Sequence, residues 1–530
     1  MSGGPTQRPD QAAIDALAPR LVELAGSPEE SAEKAEVRAW AMANVAGLAG
    51  LPVMQLPFTS VAAHILASFG KINEAFVLAV ASVRQHGLDR LCVDAIARVR
   101  EGMLRGAFDA VFAKRPDLAK AQLSFMIERL GDVIDLIDER AGLRLLSEIE
   151  QIAAARSGLR GLDGRPTLIK LGVWGDAFIE SAARNVLSTC LAPGNVPALR
   201  SFGPLIFHLH TRERHVDQLR ALPAMRELAR HAEIKIDLVP ETFFIPTHMW
   251  GMGFWNRSIL AMIEYDSLMY ARQIGADMIC LGADMVLSDG CLTAAKEKLA
   301  AGYDMFLMMP ALRMIEDKAS LVLQRHRQGA ALTIPAEDLY RLSLEALHPV
   351  MLLQFMRRTP QRFPADPHQF FFTSARGFSA HTFQWHPLAF SARVVPENIG
   401  FDGQTIDCRF PSDLLVGKDR ARASYVYQHP PSHGYLATVD NSQSVAAFGN
   451  FEMSPAGVVR SIDKWINRAE DFGHFAWALR QRTQFVVPPD LRLELPADCC
   501  DEDSAIEGIV AGMEGLRPEI SRRIARYAAA

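Results

Sequence analysis

The sequence predicts an α/β protein in which a mostly parallel sheet is sandwiched by helices, with an all-α domain before it and a helical tail after it. Three observations carry that expectation. Before residue 160, apolar residues recur at three- and four-residue spacing with few interruptions. From residue 167 to 309, short apolar runs alternate with helical stretches, the pattern of strands joined by crossover helices. After Ser461 the helical spacing returns. The expected divisions are therefore 1–160, 161–460 and 461–530, with Gly158, Gly161, Gly164 and Pro166 punctuating the first boundary.

Helices are expected over 12–24, 31–49, 61–69, 72–85, 89–105 and 117–156. Ser27 followed by Pro28 has the form of a helix start, with serine as N-cap and proline in the first position. No fixed repeat period emerges from these helices. In the second region TLIKLGV (167–173), PLIFHL (204–209), EIKIDLV (233–239), DMICL (277–281) and YDMFLMM (303–309) read as five strands. Helices over 177–191, 217–231, 258–274 and 292–301 separate them. Beyond Pro310, helices are expected over 336–347 and 348–358, then a Pro-, His- and aromatic-rich stretch from 363 to 396. The tail carries helical patterns over 462–480 and 506–528.

Composition excludes several classes. The 530 residues are 49% hydrophobic and 22% charged, a globular profile with more than one core. A net charge of −5 gives no basic surface for nucleic acid. No run of 18 apolar residues occurs, so no membrane span is expected, and the first thirty residues lack the basic start and apolar core of a signal peptide. Seven cysteines without C-x-x-C spacing fit reduced thiols in a cytoplasmic protein and argue against a cysteine-based zinc site.

Parallel sheets bind ligands beyond the carboxyl ends of their strands, and three ends carry candidate chemistry. Val173-Trp174-Gly175-Asp176 offers a glycine that lets a nucleotide approach the backbone and an indole that can stack on a base; a strand-to-helix turn with a core tryptophan explains it equally. His210-Thr211-Arg212 offers a hydroxyl and a guanidinium for a ribose or phosphate, or a helix N-cap by Thr211. Leu281-Gly282-Ala283-Asp284 sets a carboxylate in an apolar run, where a cation, a donor or water must meet it. Asp289 closes that loop, as a ligand contact or, with Ser288, as cap of the helix near Cys291. Asn256 and Arg257 precede the fourth strand's helix, as base or diphosphate contacts or as a helix start capped by Asn256. Neither G-x-G-x-x-G nor G-x-x-x-x-G-K-[ST] occurs, which disfavours a dinucleotide oxidoreductase and a P-loop enzyme.

Three stretches give the run from 167 to 309, and more loosely the chain to about 440, a resemblance to the GT-A-type glycosyltransferases. They are VWGDAFIESAARNVLSTCLAPGNVPAL (173–199), HLHTRERHVDQL (208–219) and ARQIGADMICLGADMVLSDGCLTAAKEKL (271–299). The resemblance implies a nucleotide-sugar donor site where that family's D-x-D motif holds a divalent metal and the donor diphosphate. Here residues 282–284 read Gly-Ala-Asp, a degenerate motif in which Asp284 matches the second acid and the first is absent. The resemblance also implies that Trp174, Gly175, Thr211, Asn256, Arg257, Asp284 and Asp289 hold the donor. Asp284 would bind Mn²⁺ or Mg²⁺ with a late histidine, His429 or His433.

Histidines gather late in the chain, at His348, His368, His381, His386, His429 and His433, although a single histidine is more often structural than a ligand. Among Glu397, Asp402 and Asp407, the last is favoured as the base that deprotonates an acceptor hydroxyl in an inverting reaction, with an Asx turn as the alternative. The leading expectation is sugar transfer from a nucleotide diphosphate to a hydroxyl of a carbohydrate, lipid-linked or protein acceptor. Without a metal, Arg212, Arg257 or Arg376 must neutralise the leaving diphosphate. One alternative is a nucleotidyltransferase, weakened by the lack of a Gly-rich basic loop after the first strand. Another is a non-catalytic scaffold whose Gly282 marks a dead site. The region 1–160 would recruit a protein partner or mediate self-association.

Overall fold

The computed structural model describes residues 11–27, 29–49, 56–157, 165–244, 251–308, 311–363, 367–396, 399–406, 423–426, 434–440, 451–466 and 469–529. The chain forms two compact units, one of residues 1–148 with 246–252 and one of residues 149–245 with 253–530.

The first unit is helical: α1 (Gln11–Gly26), α2 (Ala32–Ala49), α3 (Phe58–Ser68), α4 (Ile72–His86), α5 (Arg90–Phe112), α6 (Pro116–Leu130) and the start of α7 (Ile137–Ser157). Its core is aliphatic, with Ile14, Leu21, Val61, Ile65, Leu66 and Val99 fully buried. Asp89 caps α5 by accepting the Cys92 amide. Ser31 takes the place expected of Ser27: its Oγ accepts the Lys34 amide at 3.1 Å at the start of α2, and Pro28 lies outside the described residues. The single helix expected over 117–156 is two, because the chain leaves the helix at Gly131 and re-enters at Ile137. The boundary between the units falls inside α7, not at the glycines near 160.

The second unit is mixed α/β. Among the described residues its main sheet has seven strands: β1 (Thr167–Gly172), β2 (Leu205–Thr211), β3 (Glu233–Leu238), β4 (Asp277–Leu281), β5 (Met305–Met308), β6 (His386–Ser391) and β7 (Ala423–Val426). Their order is β7-β5-β6-β4-β1-β2-β3. All run parallel except β6, which lies antiparallel between β4 and β5. In register, Thr167 faces Leu205 on one side and Asp277 on the other. Every residue of β4 is buried, which is why it reads as an unbroken apolar run rather than an alternation. On one face Leu168, Met278 and Cys280 pack with Leu268 and Ala271 of the long helix α9 (Gly251–Ile274). On the other, Ile169, Leu171 and Ile279 pack with Ile179 of α8 (Asp176–Arg184) and Leu292 of α10 (Cys291–Ala300).

Two expectations are corrected here. The helix expected over 348–358 is a single turn, Pro349–Leu352, started by His348, whose Nδ1 accepts the Val350 amide. The tail from 461 is not a separate helical segment. Thr483–Val486 is a strand that pairs antiparallel with Gly377–Thr382, itself hairpinned to Gln369–Ser374. Phe485 stacks on Phe378 with ring centroids 4.8 Å apart. The helices Pro455–Asp463, Ala469–Arg480 and Glu502–Gly515 bury Ile462, Phe475 and Ile509 in the same core. Among the described residues, no helix is long and apolar enough to cross a membrane.

Candidate functional site

Because β1 lies between β2 and β4, successive strands are laid first to one side of it and then to the other. The crossovers on either side diverge at that point, and they leave a crevice beyond the carboxyl ends of β1 and β4. A cavity of about 770 Å³ lies there. Gly172, Val173 and Trp174 come from the end of β1, and Leu281, Gly282, Ala283 and Asp284 from the end of β4. Its size lies within the ordinary range for small-molecule sites.

The turn after β4 is closed by the Met285 amide donating to the Gly282 carbonyl at 3.3 Å. The next three residues, Met285–Leu287, pair with Leu436–Asp440, which also pairs with Arg313–Ile315. This small sheet brings Arg313 and Thr438 into the cavity lining, and Arg313 pairs with Asp440 at 2.9 Å. The Asp284 carbonyl accepts the Val439 amide at 2.9 Å. By surface area Asp284 is half-buried, yet its carboxyl is packed closely enough that burial raises it above the usual carboxylate range. Its own amide, Arg313 and His386 pull it down, and Asp440 pushes it up.

Lys170, in the middle of β1, also lines the cavity, and its Nζ donates to Glu264 of α9 at 2.7 Å. The other oxygen of Glu264 accepts the Ile406 amide at 2.7 Å, which anchors the segment 399–406 beside the site and sets Thr405 in its lining. Sequence reasoning passed over this pair. The signal was present: a lysine inside an apolar strand needs a partner.

The other expected site residues are distributed as follows. Trp174 and Asp284 share the cavity. Gly175 starts α8 with φ +87°, a left-handed backbone that favours glycine. Trp174 meets Phe244 edge-to-face at 5.7 Å, and Arg212 lies over Phe244 while pairing with Glu241. Thr211 is fully buried at the end of β2 and does not line the cavity. Asp289 neither lines the cavity nor caps α10: its Oδ1 accepts the Gly194 amide at 2.6 Å, and Gly290 stands at the cap. Ser288 Oγ instead accepts the Tyr435 amide. Asn256 and Arg257 lie within α9 rather than at its start, which removes the capping role; their side chains are outside the described residues, as are Asp407, His429 and His433. Arg376 is exposed at the turn of the 369–382 hairpin. Of the late histidines, His368 and His386 line the cavity. His381 is held by Glu502 and the Leu479 carbonyl.

A second polar cluster lies between the sheet and α9. His208 Nε2 meets Asp237 at 2.8 Å, His210 Nε2 meets Asp266 at 2.7 Å, and Ser267 Oγ lies 3.1 Å from His208 Nδ1. One ligand atom from each of these two histidines and two aspartates falls within 4.8 Å of the others, so the group could hold a metal ion. Arg156, at the end of α7, donates to both aspartates, and Lys235 donates to Asp237. Two cations thus already face two carboxylates. Burial lowers His208 to about 4, which keeps it neutral. Burial pushes Asp237 up, but the bonds from His208 and Lys235 together outweigh it and hold the carboxyl far below the usual range.

No protein-family model matches this chain, and no curated protein matches it.

Proposed function

We propose that the second unit is a GT-A-type glycosyltransferase that moves a sugar from a nucleotide diphosphate to an acceptor hydroxyl. One observation carries the reading: Trp174 and Asp284, from the ends of β1 and β4, line one cavity at the point where the strand order reverses. In this reading the Trp174 indole stacks on the base, and Gly175 leaves room for the ribose and diphosphate. Asp284 faces the sugar–diphosphate linkage. The bond from the anomeric carbon to the phosphate oxygen breaks, its electron pair leaves with the diphosphate, and the acceptor oxygen bonds to that carbon. The acceptor proton passes to a base, the role assigned to Asp407.

Charge on the leaving diphosphate must be met. Arg313 and Lys170, each paired with a carboxylate, line the cavity and are the cations placed to meet it. Among the described residues, Asp284 belongs to no group of three His, Cys, Asp or Glu side chains placed to hold an ion. His429 and His433, the further ligands that the resemblance implies, lie outside the described residues.

The test is incubation with a panel of nucleotide sugars, reading the release of UDP or GDP. Release by the wild type and its loss in Asp284→Ala support the reading. No release, with no nucleotide binding by calorimetry, discards it. Consumption of pyrophosphate with a nucleotide sugar supports nucleotidyl transfer instead.

A further inference from the structure

The charged groups of the cavity come from β1, α9, the turn after β4 and the strand Arg313–Ile315. The segments around 354, 368–369 and 384 contribute a different chemistry: Gln354, His368, Gln369 and Gln384. Gln354 and Gln384 are each only 7% exposed. Gln354 Oε1 and Gln384 Nε2 are buried and, among the described residues, make no hydrogen bond. Folded proteins rarely leave such atoms without a role, because desolvating an amide without a partner is costly. Here one is an acceptor and the other a donor, and both residues line the same cavity.

Their backbones are held firmly. The Gln354 carbonyl accepts the Phe371 amide at 3.0 Å, and the Phe371 carbonyl accepts the Met356 amide at 3.0 Å. Thr382 Oγ1 accepts the Gln384 amide at 2.9 Å and lies within hydrogen-bonding distance of the Gln384 and His368 carbonyls. Both glutamines are thereby fixed to the hairpin of Gln369–Ser374 and Gly377–Thr382. Phe363 and Trp174 add aromatic surface to the same cavity.

We propose that this amide-lined part of the cavity is a subsite for an uncharged hexose, whose hydroxyls donate to Gln354 Oε1 and accept from Gln384 Nε2. A hydroxyl does both at once, and a ring carbon face suits the aromatic side chains. A carboxylated sugar held by these two amides would set its charge against groups that carry none, so the pair selects against it. The inference deepens the sugar-transfer reading and rests on it for the identity of the site. The hexose is either the sugar of the donor or a unit of the acceptor.

The test is calorimetry on the full chain with UDP, GDP, their neutral hexose conjugates, UDP-glucuronate, and methyl hexosides with and without saturating UDP. A neutral conjugate is expected to bind more tightly than its free nucleotide, and UDP-glucuronate no more tightly than UDP. Gln354→Leu and Gln384→Leu are each expected to cut the hexose contribution about tenfold, the effect of one lost hydrogen bond, and to leave free nucleotide binding unchanged. Neither variant lowers the unfolding midpoint, because Gln354 Oε1 and Gln384 Nε2 have no partner among the described residues; a purely structural role would lower it. A contribution seen only in the conjugates identifies the donor sugar; methyl hexoside binding on top of UDP identifies the acceptor. If nucleotides do not bind but methyl hexosides do, and the variants weaken them, the subsite stands and the nucleotide-donor reading falls. Variants that bind hexose like the wild type, equal gain from UDP-glucuronate, or no binding of any hexose overturn the subsite.

Discussion

The Asp284 carboxylate folds back over Gly282: a Cβ on residue 282 would stand 2.9 Å from Asp284 Oδ1. The lack of a side chain at Gly282 is thus what leaves the Asp284 carboxylate its place. Gly282→Ala should displace the carboxylate and cut turnover at least about tenfold, as misplacement of a positioned group does, with little change in unfolding midpoint. Gly282→Asp should not create a working acidic pair. Wild-type turnover in Gly282→Ala, in assays of nucleotide release, would show that this contact does not matter.

Asp284 is an acid whose folded pKa is raised, chiefly by burial. Its ionised form therefore costs stability, and the cost appears as pH rises through the folded value. Asp284→Asn should unfold at a higher temperature than the wild type at pH 8, and the difference should vanish below pH 4. The same variant should lose turnover. Thermal scans at the two pH values check the sign, and a less stable variant at pH 8 would refute it.

Arg156 joins Asp237 and Asp266, and it lies before the glycine-rich boundary that the sequence suggests. A chain beginning at residue 161 should be less stable than one beginning at residue 149, because two largely desolvated carboxylates lose a cation. Arg156→Leu in the full chain should cost about 3–5 kcal/mol for the same reason. Denaturant titration compares them, and equal midpoints would contradict the assignment.

The same cluster should respond to acid. His208 takes a proton near 6.5 when unfolded but only near 4 when folded. The unfolded chain therefore binds the extra proton between these values, and stability falls as pH drops from about 6.5 to 4. Below that window Asp237 and Asp266, both held low in the fold, lose their contribution as they protonate. Hydrogen-bonded to an aspartate already paired with cations, the cluster should keep its unfolding midpoint after dialysis against a chelator. A fall on chelation, restored by one divalent ion, would show that the histidines and aspartates hold a metal.

Phe485 brings the C-terminal segment into the core of the second unit. Phe485→Ala should cost about 3–5 kcal/mol, the usual effect of emptying a large buried site. Removal of residues 461–530 should leave the second unit unfolded by circular dichroism. A folded, nucleotide-binding remnant would mean the strand at 483–486 is dispensable.

The sequence by itself located β1 to β5 of the main sheet, but not β7, which is also parallel. Apart from Lys170 and Asp277, TLIKLG and DMICL carry apolar residues on both faces, as a strand covered on both sides does. It also placed Trp174 and Asp284 at strand ends. Tertiary structure decided which strand ends meet. The order of β1, β2 and β4 is a long-range choice, and it joins residues 174 and 284 while leaving Thr211 buried and Asp289 bound to Gly194. It also decided the partners of charges: Lys170 with Glu264, and Arg156 with Asp237 and Asp266, are 94, 81 and 110 residues apart in the chain. Local spacing carries helix and strand periodicity because side-chain direction repeats along the backbone. It carries no record of which distant side chain will neutralise a buried charge, since that depends on packing after the sheet and its helices have closed.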